Sequence, residues 1–202
     1  MRENDNYYGF EIITGPMSCG KTEELLRRIR RCQIAQKNIK IISPEVDTRE
    51  NENKVASRNG LSLDAIKVKS AKEILNIVEE KDEIIAIDEI QFFDEEIVDV
   101  VNELVSQHKK VIACGLDLDF KAEPFGSMPQ LLAIANKVDK LMAICMKCGS
   151  EYGVRTQRLI NGVPAGQNSP LIMIGGDEAY EARCLDCYEP PKSERPKLSI
   201  VK

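Results

Sequence analysis

Tryptophan is absent from this chain of 202 residues, histidine occurs once, and aromatic residues make up only 5% of it. With so few rings, each Phe and Tyr carries local weight. His108 sits near the end of a polar helical stretch and reads as a surface residue with no catalytic part. A basic excess is missing too. The formal charge of −5 argues against a general nucleic-acid or membrane-surface binder, though not against a small phosphorylated ligand in a local basic pocket. No apolar run approaches the roughly 20 residues needed to span a bilayer. The opening Met1-Arg2-Glu3-Asn4-Asp5-Asn6 is polar and lacks the apolar centre of a signal peptide. A cytoplasmic location is therefore expected. Hydrophobic residues at 43% and charged residues at 30% suit a globular protein with one core and a small appendage.

What is present is concentrated in short stretches. Gly15-Pro16-Met17-Ser18-Cys19-Gly20-Lys21-Thr22 fits the phosphate-loop pattern G-x-x-x-x-G-K-[ST] at every fixed position. Residues 10–14 read as a buried strand before it, and Glu23 to Ile29 opens a helix after it. In that setting the loop amides and the helix N-terminus face one anion. Lys21 adds a full charge, and the Thr22 hydroxyl suits Mg²⁺.

Strand-like runs alternate with helical patterns through residue 143. Further strands are expected at 39–43, 66–69, 83–88, 110–115 and 140–143, and helices at 70–79, 95–107 and 127–136. Ser70-Ala71-Lys72-Glu73 has the spacing of a capping box. The fold class is α/β, a P-loop parallel sheet flanked by helices. Residues 9–143 make the nucleotide-binding domain. Residues 144–191 hold both C-x-x-C pairs and no long helical period, so they form a small metal-stapled subdomain. A disordered tail is expected over 192–202.

Asp88 and Glu89 end a buried strand. Residues at the carboxyl end of a parallel strand face the ligand crevice. If this strand neighbours the phosphate-loop strand, Asp88 reaches the Mg²⁺ of a nucleoside-triphosphate site. Glu89 beside it suits the deprotonation of an attacking hydroxyl or water. Cys145, Cys148, Cys184 and Cys187 supply four thiolates, the complement of structural Zn²⁺, and the 35 residues between the pairs form a loop closed at its base. The other cysteines, Cys19, Cys32 and Cys114, are scattered through core-like segments.

Together these stretches resemble the cytosolic type II thymidine kinases in their bacterial form. The resemblance rests on the phosphate loop, on Asp88-Glu89-Ile90-Gln91-Phe92-Phe93, and on Gly115 to Phe120 followed by Pro124-Phe125-Gly126. It rests further on both cysteine pairs, on Arg155 to Gly162 and on Gly175 to Glu181, which look like that family's lasso. It implies transfer of the ATP γ-phosphoryl group to the 5′-hydroxyl of thymidine, with deoxyuridine as a second acceptor. ATP, Mg²⁺ and a structural Zn²⁺ are the implied cofactors. Feedback binding of thymidine triphosphate, a homotetramer and a role in nucleotide salvage are implied as well.

By the same resemblance, Glu89 is the general base, Lys21 and the loop residues bind donor phosphates, and Arg49 neutralises charge on the transferred group. Asp47, Asp88 and Gln91 join the cofactor-binding residues. Met17, Phe92, Leu116, Phe120, Phe125 and Thr156 line the nucleoside site. The lasso adds Leu171, Met173, Ile174, Gly175 and Tyr180. Phe93 is left to the core. The chain leaves the family's usual spelling at Ser18-Cys19, and Ser57-Arg58 stands where a Ser-His pair is usual. A competing reading is a P-loop ATPase or nucleotide switch with a zinc module for partner binding. It shares Lys21, Thr22 and Asp88 and differs at Glu89 and the lasso.

Overall fold

The structure is a computed structural model that describes residues 8–45, 54–56, 62–171 and 178–191. Its main sheet has six parallel strands in the order β5-β2-β6-β7-β1-β8. These are β1 (Gly9–Thr14), β2 (Ile39–Pro44), β5 (Ile66–Val68), β6 (Ile84–Ile87), β7 (Lys110–Gly115) and β8 (Lys137–Lys140). Four helices cross between strands: α1 (Lys21–Ile34), α2 (Ala71–Ile77), α3 (Ile97–Ser106) and α4 (Met128–Ile134).

The strict alternation of strand residues builds a core on each face. Ile12, Ile85, Ile87, Val111 and Ala113 point to the face covered by α2, α3 and α4. Ile13, Ile84, Ala86, Ile112 and Cys114 point to the face where Leu25, Leu26 and Ile29 of α1 pack. Each fully buried aliphatic side chain contributes about 1.5–3 kcal/mol, so β1, β6 and β7, apolar on both sides, sit at the centre of the sheet. The edge strands carry lysines, Lys67 on β5 and Lys137 and Lys140 on β8, which discourage pairing with another chain.

Several expected boundaries move. The last strand is Lys137–Lys140, earlier than the expected 140–143. Asn136 fixes it there, its Oδ1 accepting the Phe10 N–H (2.8 Å), while Leu141 donates one further bond to Thr14 O (2.7 Å) before the chain leaves the sheet. Ser70 precedes α2 but makes no side-chain cap. Instead the Asp94 carboxylate accepts the Ala71 N–H (3.2 Å), and Glu73 reaches back to the Lys69 N–H (2.9 Å). A short antiparallel pair, β3 (Lys54–Ala56) with β4 (Ser62–Asp64), has no counterpart in the expected elements. The tail at 192–202 lies outside the described residues.

Beyond β8 the architecture changes. A three-stranded antiparallel sheet has the order β10-β9-β11, from β9 (Arg155–Ile160), β10 (Val163–Pro164) and β11 (Glu178–Arg183). One cysteine pair lies in the turn between Ala143 and Gly153, which bridge each other, and the other follows β11 directly.

Candidate active site

The phosphate loop leaves β1 at Gly15 and enters α1 at Lys21. Gly15 has φ 142°, and a Cβ there would stand 2.4 Å from Leu141 O, so only glycine fits. Ser18 and Gly20 also have positive φ (61° and 87°), which folds the loop around the start of α1. Lys21 is buried, and its ammonium donates to Pro16 O (2.7 Å). Cys19, at the unusual loop position, has its Sγ 3.8 Å from Lys21 Nζ, and burial pushes this thiol up.

Asp88 and Glu89 follow β6. β1 lies between β7 and β8, not beside β6, so the acidic end faces the phosphate loop across β7 rather than from an adjacent strand. Cys114 of β7 occupies the interval. Its thiol donates to Asp88 Oδ1 (2.7 Å), and it feels the charges of both Glu89 and Lys21. Burial first, then the Asp88 carboxylate, push the Cys114 thiol well above its ordinary range, so it stays a donor. The Glu89 N–H also donates to Asp88 Oδ1 (3.0 Å).

Glu89 itself is held in the left-handed region (φ 49°), an unfavourable conformation for a residue with a side chain. Strain of this kind marks the spot where the chain turns from strand β6 into the 3₁₀ turn Ile90–Phe92. Gln91 fixes its carboxylate, with Nε2 donating to Glu89 Oε2 (2.6 Å) while Gln91 Oε1 accepts the Leu116 N–H (3.1 Å). Gly115 makes room for this amide, since a Cβ there would lie 2.4 Å from Gln91 Oε1. Gln91 was expected among the cofactor-binding residues. It is buried, and these two bonds tie it to Glu89 and to Leu116.

The expected acceptor residues gather in two groups. Met17 and Phe92 pack against the cluster that contains Leu116 and Phe125, and Phe92 meets Phe125 edge-on at 5.5 Å between ring centres. Phe120 and Tyr180 form the second group, with the Arg158 guanidinium over both rings. One hydrogen bond joins the phosphate loop to the small sheet: the Met17 N–H donates to Thr156 Oγ1 (3.0 Å), 139 residues apart in the chain. Leu171 is exposed. Asp47, Arg49, Ser57, Arg58, Met173, Ile174 and Gly175 lie outside the described residues. Phe93 is buried in the sheet core, and His108 is exposed.

The sulfurs of Cys145, Cys148, Cys184 and Cys187 all lie within 4.8 Å of one another. Four ligands about 2.3 Å from a tetrahedral zinc would stand about 3.8 Å apart. The Cys148–Cys184 separation of 3.7 Å meets that condition. Backbone turns shape both halves of the cluster, with Gly149 N–H donating to Cys145 O (2.8 Å) and Tyr188 N–H to Cys184 O (3.0 Å). The four-thiol set therefore fits a structural zinc.

A separate open cavity of about 600 Å³ lies toward the amino ends of the strands, lined by Glu11 of β1 and by Ile84 and Lys110, which begin β6 and β7. Its cations are engaged locally: Arg28 with Glu11 (2.8 Å), Lys37 with Glu83 (2.6 Å) and Lys110 with Glu11 (2.8 Å). The reactive groups named above lie at the other end of the sheet.

The thymidine kinase family model matches residues 9–188, which takes in the phosphate loop, the acidic strand end and the cysteine cluster. This chain belongs to the thymidine kinase family. Thymidine kinases are ATP-dependent phosphotransferases, so the chain is an enzyme of that class. Among solved structures, the Pif1 helicase from Candida albicans superposes with a TM-score of 0.40 at 12% identity, over 67% of this chain and 36% of the helicase. Among the described residues, no helix is long and apolar enough to cross a membrane.

Three functional details escaped the sequence reading: Arg158 over two rings, the thiol of Cys114 on Asp88, and Tyr188, whose hydroxyl donates to Phe120 O (2.8 Å). None has a local pattern. Each depends on contacts between segments more than 20 residues apart, as in the Cys114–Asp88 and Phe120–Tyr188 pairs.

Proposed function

We propose that this protein transfers the γ-phosphoryl group of ATP to the 5′-hydroxyl of thymidine, with deoxyuridine as a second acceptor. The observation that carries this reading is Glu89: a buried carboxylate at a parallel strand's carboxyl end, locked by Gln91 and separated from Lys21 by the thiol of Cys114. Phosphoryl transfer needs little covalent help from the protein and depends on positioning and charge. Glu89 accepts the proton of the attacking hydroxyl. Lys21 and the loop amides hold the donor phosphates in line. Thr22 and Asp88, hard oxygen donors, suit Mg²⁺, which would offset phosphate charge when bound. Arg49 and Asp47 complete the donor side on the strength of the family resemblance.

On the acceptor side, a flat base is held among Met17, Phe92, Leu116, Phe120, Phe125 and Tyr180, with Thr156 joining the small sheet to the phosphate loop. Residues 9–143 act as the nucleotide-binding domain, and 144–191 as the zinc-held lasso that completes the acceptor pocket. Leu171, Met173, Ile174 and Gly175 belong to that lasso. A homotetramer in the cytoplasm, inhibited by thymidine triphosphate, completes the reading.

The test is phosphoryl transfer from ATP across a nucleoside panel with a no-acceptor control. Thymidine should be converted fastest, deoxyuridine next, and ATP hydrolysis without nucleoside should be slight. Steady hydrolysis that ignores the nucleoside would favour an ATPase.

A further inference from the structure

We propose that Arg158 is the positioning residue of the acceptor pocket: its guanidinium spaces the Phe120 and Tyr180 rings and anchors the chain at Pro170, so that nucleoside affinity depends on a planar cation at this point. The proposal rests on the thymidine-kinase reading above, which puts both rings against the base.

Arg158 lies in β9 directly opposite Tyr180 of β11, so the two side chains share one face of the small sheet. It is fully buried. Its guanidinium carbon stands 5.2 Å from the Phe120 ring centre and 5.8 Å from that of Tyr180, both within cation–π range. Nη1 donates a short hydrogen bond to Pro170 O, and the Arg158 carbonyl accepts the Ala165 N–H (2.9 Å). One residue thus touches two proposed pocket rings and the chain just before Leu171.

Phe120 is held at its backbone as well. Its carbonyl accepts the Tyr188 hydroxyl, and Tyr188 follows the ligand Cys187. Phe120 is thus held at its ring by Arg158 and at its backbone by Tyr188, the residue after Cys187.

Burying a guanidinium is unfavourable unless rings and acceptors compensate it. A residue needed only to fill space at this place would be better as Met or Leu. Arg supplies a planar, permanently charged group that stacks on rings and donates in a fixed direction, whereas Lys is a point charge on a flexible stem.

The experiment compares wild type, Arg158→Lys and Arg158→Gln as full-length, zinc-loaded proteins. Zinc content reports whether the lasso base is intact. In the variants, KM for thymidine should rise about tenfold or more, while KM for ATP stays within about twofold. Amide exchange at Ser169 to Leu171 should speed up by about tenfold or more. If Arg158→Gln fails to bind zinc, Arg158→Lys decides. An unchanged thymidine KM in a zinc-loaded variant overturns the proposal, as does an equal rise for both substrates. Loss of zinc from both variants assigns Arg158 to the fold and overturns it too. Should wild type phosphorylate no nucleoside, the kinase reading itself has failed. The exchange at Ser169 to Leu171 then judges Arg158 alone, and unchanged exchange in Arg158→Lys refutes it.

Discussion

The six-stranded sheet and the cysteine-stapled sheet are held together by different physics. The first buries Ile, Leu and Val on both faces, with two aliphatic clusters that need no other support. The buried side chains of the second are mostly small or polar: Ala143, Ala165 and Ala182, with Thr156, Gln157 and Arg158. Such a set removes little apolar surface from water. It relies on hydrogen bonds, such as the reciprocal pair between Gln157 and Glu189 (2.8 and 3.1 Å), and on the four-cysteine cluster. The difference has a functional sense. Under the proposed function, the donor phosphates meet the rigid sheet, and the base meets residues of both regions, Met17, Phe92, Leu116, Phe120 and Phe125 from the first and Thr156 and Tyr180 from the second.

The largest effect should come from the metal. Binding to four thiolates is folding free energy for a module with so small a core. Zinc chelation, or Cys148→Ser, should abolish the melting transition of the small sheet while that of the large sheet stays in place. Parallel loss of both transitions would erase the contrast. Next comes Glu89→Gln, which should lower transfer by about 10²–10⁴-fold with ATP binding nearly intact; near-full transfer would mean that Glu89 is not the base.

Gly115→Ala sits on the rigid side. Its new Cβ would fall 2.4 Å from Gln91 Oε1. The displaced amide should cost about 1–3 kcal/mol in stability and should lower kcat through Glu89, with KM for thymidine little changed. Kinetics of the variant would check both. The smallest effect concerns acid. Hydrogen bonds from Arg27 and then Arg28, outweighing burial, hold the Glu24 carboxyl down to about 2. A depressed carboxylate stabilises above its unfolded pKa, and that share is lost as pH falls toward its folded value. Wild type should therefore exceed Glu24→Gln in large-sheet stability by at most about 1 kcal/mol near neutrality, given solvent screening, and the gap should close between about pH 4.5 and 2. Melting curves against pH would show it; a gap that widens in acid would contradict it.

The same contrast governs what could be read from sequence. The strands of the large sheet announce themselves, because Phe10 to Thr14, Ile84 to Ile87 and Lys110 to Gly115 are apolar where a doubly covered strand must be. β8 was misplaced because its own residues, Lys-Val-Asp-Lys, are polar, and the apolar Leu141-Met142-Ala143 beside them is not in the sheet. Strand order was beyond reach as well. Which strands adjoin depends on crossovers, so the interposed β7 and its Cys114 link to Asp88 appear only in the fold. β9, Arg-Thr-Gln-Arg-Leu-Ile, has buried polar residues in place of apolar alternation and gives no periodic signal. The phosphate loop, Asp88-Glu89 and the cysteine pairs were legible because their chemistry needs fixed local spacing. Arg158 was not, because its meaning lies in rings and a carbonyl brought from elsewhere.

The proposed reading requires that the large sheet bind the donor unaided, and that the cysteine-held small sheet complete an acceptor pocket whose other wall is Met17, Phe92, Leu116, Phe120 and Phe125. Calorimetric titration of one zinc-stripped sample with an ATP analogue and, separately, with thymidine tests it most directly. The account predicts that the nucleotide still binds with an affinity close to that of the zinc-loaded protein, that thymidine binding disappears, and that adding zinc restores it. Undiminished thymidine binding without zinc, or equal loss of both ligands, would contradict it.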